Sequence, residues 1–97
     1  MKILHVTYTV KDGKREEFHK KVVDQGIAAR SRDEEGCLAY DYYFPIENAN
    51  ELFLLEIWKT PEAAEKHMQS AHFAELGELK KEYVTGVRFG KYLAESV

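Results

Sequence analysis

A chain of 97 residues closes one hydrophobic core and has too little apolar surface to divide between two, so residues 1–97 read as a single domain. Its 44% hydrophobic and 32% charged residues exclude a disordered chain. The 14 basic and 17 acidic residues are interspersed and leave a net charge of -3, which argues against nucleic acid as a partner. No stretch approaches the ~18 apolar residues of a membrane span, and Met1-Lys2-Ile3-Leu4-His5 has no secretory character, so the expectation is a cytoplasmic protein with no membrane partner. Cys37 is the single cysteine, which rules out an intramolecular disulfide.

From Lys2 to Val10 apolar residues alternate, with Leu4, Val6, Tyr8 and Val10 on one face, the period of a strand. Lys11-Asp12-Gly13 stops it. The spacing of Phe18, Val22 and Ile27 predicts a helix from Lys14 to about Asp33, ended by Glu35-Gly36. Leu38–Phe44 and Leu52–Trp58 read as a hairpin around a turn at 45–50. Thr60-Pro61-Glu62 carries a cap, a first-turn proline and an acid, so a helix starts there and runs to Gln69. Ser70 caps a further helix through Tyr83, and Val84–Leu93 is the last strand.

The order strand, helix, strand, strand, broken helix, strand predicts an α+β fold of ferredoxin-like type, with helices on one face of an antiparallel sheet. Both faces of Leu52–Trp58 are apolar, however, so Phe53, Leu55 and Ile57 would lie exposed on the side away from the helices. Such a patch predicts a homodimer packed through the sheet face; a C-terminal segment folded over it is the alternative.

No glycine-rich phosphate loop, cysteine pair or His-Glu-x-x-His is present. His5, His19, His67 and His72 do not share a helical face at ligand spacing, so no metal is expected. On one continuous helix His67 and His72 would diverge by roughly 140°, although a break at Ser70 would let them converge. His67 belongs to the stripe Ala64, His67, Met68, Ala71 that faces the sheet, where an imidazole is either a general base or a core histidine satisfied by one hydrogen bond. Glu56 and Trp58 share a strand face with Leu52 and Leu54; the acid needs a partner, and the indole is either a ligand platform or core filling. The tyrosines, Tyr8 and Tyr83 among them, either line a cavity or reflect strand preference.

Two stretches carry a family resemblance that extends over essentially the whole chain. Ser31-Arg32-Asp33-Glu34-Glu35-Gly36-Cys37-Leu38-Ala39-Tyr40 resembles the helix-end to second-strand signature of the antibiotic-biosynthesis-monooxygenase domain. Leu55-Glu56-Ile57-Trp58-Lys59, followed by His67-Met68-Gln69-Ser70-Ala71-His72-Phe73, resembles its second signature. The resemblance implies a dimeric α/β-barrel assembly of ferredoxin-like subunits, each with a pocket between sheet and helices. It also implies chemistry on polycyclic phenols or quinols with molecular oxygen and no metal, flavin or haem cofactor. His67, His72 and Glu56 are then the catalytic candidates, and Trp58, Leu54, Phe73, Tyr8 and Tyr83 the residues for a small aromatic substrate.

Departures narrow the branch. The polyketide-modifying oxygenases place an asparagine where this chain has Leu54, and the haem-degrading branch needs residues whose counterparts here are Val6, His67 and Gly77. A branch that isomerises a phosphorylated sugar signal shares the His67/His72 pair but has a helix histidine where Ala28 stands. The leading expectation is therefore a cofactor-independent monooxygenase, with a non-oxidative isomerase or a non-catalytic ligand-binding dimer as alternatives.

Overall fold

The computed structural model describes residues 1–97. Strand β1 (Lys2–Val10) leads to helices α1 (Arg15–Asp24) and α2 (Ile27–Arg32), the hairpin β2 (Cys37–Tyr43) and β3 (Glu51–Trp58), helices α3 (Pro61–Met68) and α4 (Ala71–Tyr83), and β4 (Val84–Leu93). The strands form one antiparallel sheet in the order β2-β3-β1-β4 with helices packed on one face, the ferredoxin-like α+β arrangement that the element order predicts.

One helix expected over Lys14–Asp33 is instead two. Gly26 adopts φ 70°, a left-handed conformation that ends α1, and its N–H donates to the Val23 carbonyl at 2.9 Å. The hydrophobic spacing continues across this break because α2 buries Ile27, Ala28 and Ser31 beside the Phe18 and Val22 of α1. Periodicity therefore registered the shared core and missed the turn.

The segment after α2 is set by Gly36. Its φ is +83°, and a β-carbon there would lie 2.8 Å from the Ala63 β-carbon at the start of α3. Lys59 N–H donates to the Gly36 carbonyl at 2.7 Å, and Cys37 N–H donates to the Glu34 carbonyl at 3.1 Å. This tight turn pins Glu34 against the helix pair. The two later helices start as expected: Thr60 Oγ1 accepts from Ala63 N–H at 3.2 Å, and Ser70 Oγ from Phe73 N–H at 3.1 Å.

The register puts Leu52, Leu54, Glu56 and Trp58 of β3 on the helix face, all buried, and Phe53, Leu55 and Ile57 on the other face, half-buried. Edge strand β4 is covered less. Its helix-face residues Val87 and Phe89 are 40% and 61% exposed, so the layer between sheet and helices is open along this edge.

Gly36→Ala is expected to lower unfolding free energy by about 1–3 kcal/mol, combining left-handed strain with a clash against Ala63. Urea denaturation measures it, and a variant within a few tenths of wild type would show that the turn relaxes freely.

Candidate active site

Ser70 decides where the two histidines point. Its hydroxyl donates to the His67 carbonyl at 2.7 Å while accepting from Phe73 N–H, so the chain turns sharply between α3 and α4. His67 in the last turn of α3 and His72 in the first turn of α4 thereby bring their rings to 5.5 Å between centroids. Both meet the same carboxylate oxygen: Glu34 Oε1 lies 3.0 Å from His67 Nδ1 and is also contacted by His72 Nε2.

With the Glu34 carboxylate accepting, the neutral His67 tautomer that fits this contact is the one with its proton on Nδ1, which leaves the Nε2 lone pair on the opposite side of the ring. That side faces β3, where Nε2 lies 4.0 Å from Glu56 Oε1, beyond direct hydrogen bonding. His67 is only 3% exposed. Its ring is held by Trp58 at 4.9 Å, Tyr40 at 5.4 Å and, edge-on, Phe73 at 5.4 Å.

Glu56 accepts the Trp58 indole N–H at 3.0 Å. Burial pushes its carboxyl above the ordinary carboxylate range, opposed by that hydrogen bond and by His67. Burial likewise raises the phenols of Tyr8 and Tyr40, and the Cys37 thiol to about 11. The hydroxyls of Tyr40 and Tyr42 are buried without a hydrogen-bond partner.

Between this cluster, β1 and α4 lies a cavity of about 180 Å³ with mostly apolar walls. Of the residues singled out in the sequence, His67, Glu56, Tyr8 and Phe73 line it. Trp58 and Leu54 are fully buried beneath and form none of its wall, so the indole supports Glu56 and His67 rather than offering a face. Tyr83 lies off the cavity too, stacked on Phe18 at 5.5 Å with its hydroxyl donating to Glu17. His72 lies behind Glu34, on a separate surface cleft.

Glu34 is the member that sequence reasoning missed. It sits in Asp33-Glu34-Glu35, which reads as a solvated helix end, and only its presence in the first family signature pointed to it. The wall also carries Tyr40, Lys2, Lys80 and Lys91. The helical-face argument against a metal fails in space, because the donor atoms of Glu34, His67 and His72 lie within 4.8 Å of one another. These are ligand types that first-row divalent ions accept. In the present geometry the carboxylate satisfies both imidazoles by hydrogen bonding.

Because the native Glu56 carboxyl holds its proton more tightly than the unfolded one, this group's contribution to stability falls as pH rises through and above the ordinary carboxylate range. Glu56→Gln should therefore gain stability relative to wild type as pH rises above about 4, the range in which the unfolded carboxyl ionises. Urea midpoints across that range measure the difference; a gap that stays flat or shrinks would mean that Glu56 is ionised at little expense.

The antibiotic biosynthesis monooxygenase family matches residues 1–79. The Bacillus subtilis (strain 168) protein named "Putative monooxygenase YcnE" is 37% identical over 73 residues, covering 75% of each chain. A conserved Methanosarcina mazei Go1 protein superposes with a TM-score of 0.84 at 29% identity, over 98% of this chain and 94% of that one. A Deinococcus radiodurans structure reaches a TM-score of 0.88 at 22% identity, over 100% and 95% of the two chains. With both signatures placed around one cavity and the match spanning most of the sequence, the chain belongs to the antibiotic biosynthesis monooxygenase family.

Proposed function

We propose that the protein is a monooxygenase that oxidises a quinol or related polyphenol with molecular oxygen and without an organic cofactor. The observation that carries this reading is the Glu34–His67 pair, a buried imidazole held by a carboxylate on one side and turned toward an apolar cavity on the other. The family name and that of the Bacillus subtilis relative support the reaction class.

The chemistry asks little of the protein beyond a base, a dry site and orientation. His67 Nε2 takes the proton of one quinol hydroxyl, and the resulting phenolate is electron-rich enough to reduce dioxygen by one electron. Recombination forms a carbon–oxygen bond at the ring. Loss of the ring proton and of the outer oxygen as water leaves a hydroxyquinone. One oxygen atom is kept, one leaves as water, and all four electrons come from the quinol, so no external reductant is required. Glu34 acts as a positioning residue that fixes the tautomer of His67 and stabilises the imidazolium. Glu56, whose carboxyl burial biases toward its protonated form, lines the same cavity and in that form would donate to a substrate oxygen.

His67→Ala should slow oxygen uptake on responsive hydroquinones by about a hundredfold or more, and Glu34→Gln by about tenfold. A Clark electrode measures both. Equal rates in His67→Ala and wild type would remove His67 from the mechanism, whereas turnover that persists under argon would replace oxygenation with isomerisation by the same base.

We also propose that a second copy covers the outer sheet face. Phe53, Leu55 and Ile57 lie there, Ile57 paired with Ile3, and Tyr92 on the other side of Ile3 is 52% exposed. Sedimentation should give a dimer at micromolar concentration and a monomer for Leu55→Asp; a wild-type monomer would leave this face to another partner.

A further inference from the structure

The wall of the cavity carries three lysines and one acid. Lys91 and Glu56 flank Leu4 across the sheet, and Lys2 lies two residues before Leu4 on the same face of β1. Lys80 reaches in from α4, its ammonium 5.7 Å from the Tyr8 ring centre and 6.0 Å from that of Phe73. The chain is acidic overall, and its ion pairs engage Lys14, Arg15, Lys20, Lys21, Arg30, Arg32, Lys81 and Arg88. Lys2, Lys80 and Lys91 enter none of them. Three cations that form no ion pair therefore line the same largely apolar cavity as one carboxyl, Glu56, a setting in which low-dielectric walls strengthen their field on an anion that enters.

We propose that the cavity binds an aromatic carboxylate, its ring between Phe73 and the β1 side chains and its charge held by Lys2, Lys80 and Lys91. A single-charge group fits better than phosphate. No arginine lines the cavity, and the Phe73 amide at the start of α4 is already bonded to Ser70, so the forked and helix-terminal donors that phosphate recruits are missing. A ring held this way lies beside His67, and the inference rests on the base reading above by naming the substrate class that the same base would serve.

The test compares 2,5-dihydroxybenzoate with its methyl ester, which keeps the ring and both hydroxyls and removes the charge. Under argon and at low salt, isothermal titration calorimetry should show the carboxylate binding about tenfold more tightly than the ester. The preference should shrink as salt rises and largely disappear in Lys2→Met/Lys80→Met/Lys91→Met, in which the stems keep their length. Should the triple variant fail to fold, Lys80→Met alone and the salt titration carry the same readout. Equal affinity for acid and ester, no binding of either up to millimolar concentration, or a preference that survives loss of the lysines would overturn the proposal. Oxygen uptake on the same pair separates the two readings. Selective anaerobic binding without uptake keeps the anion site and removes the oxygenase; equal uptake on both compounds does the reverse.

Discussion

Glu34 Oε1 is shared by two imidazoles that stand 33 and 38 residues further along the chain, and the rest of the site is arranged around that oxygen. The contact needs a turn tight enough to hold the carboxylate against α3, which Gly36 supplies, and a helix interruption that brings His67 and His72 to the same carboxylate, which Ser70 supplies. Remove the carboxylate and two largely buried ring nitrogens lose their acceptor at once, a larger penalty than the loss of one exposed hydrogen bond. The same interaction fixes which nitrogen of His67 faces the cavity. Local geometry and chemistry are thus set by one group.

Apart from the lysines at its wall, several ionisable groups in and around the site are biased toward their neutral forms. Burial raises Tyr8, Tyr40 and Cys37, so each keeps its proton in the pH range where imidazole works, and it shifts the Glu56 carboxyl in the same direction. Trp58 belongs to this scheme as a structural donor: its N–H occupies one lone pair of Glu56 and its ring backs His67. An imidazole held by a carboxylate beside phenols that resist ionisation is a pattern suited to a general base.

Much of this was legible in the sequence because it depends on local rules. Alternation marked the strands, Thr60 and Ser70 marked the helix starts, and Gly36 marked the end of α2. Gly26 escaped because the apolar spacing on either side of it serves one core and so runs through the break. Leu54, Trp58 and Tyr83 illustrate a different limit. Strand and helix periods say which face a side chain takes, but not whether it lies at the centre of the layer, where packing is complete, or beside the open edge. Leu54 and Trp58 sit on the helix face as expected, yet the cavity lies closer to β1 and β4. Glu34 escaped for a third reason: an acid in an acidic helix end carries no local sign of a partner 33 residues away.

The position of the cavity follows from the way β4 closes the sheet. α4 ends at Tyr83 and β4 begins at Val84 without an intervening loop, so the strand departs directly from the helix that should cover it. Its helix-face residues stay exposed, and Phe89 and Lys91 become the rim of an opening instead of part of a closed core. Strand β3 meanwhile divides two tasks between its alternating faces, with Glu56 and Trp58 toward the site and Phe53, Leu55 and Ile57 toward the proposed partner. Because the mouth opens on the helix side and the apolar patch lies on the other, a dimer through the sheet leaves access to His67 unobstructed. Such a dimer would also stiffen the strand that carries Glu56 and backs the imidazole, and would thereby couple assembly to the positioning of His67 through β3 without burying any residue of the mouth.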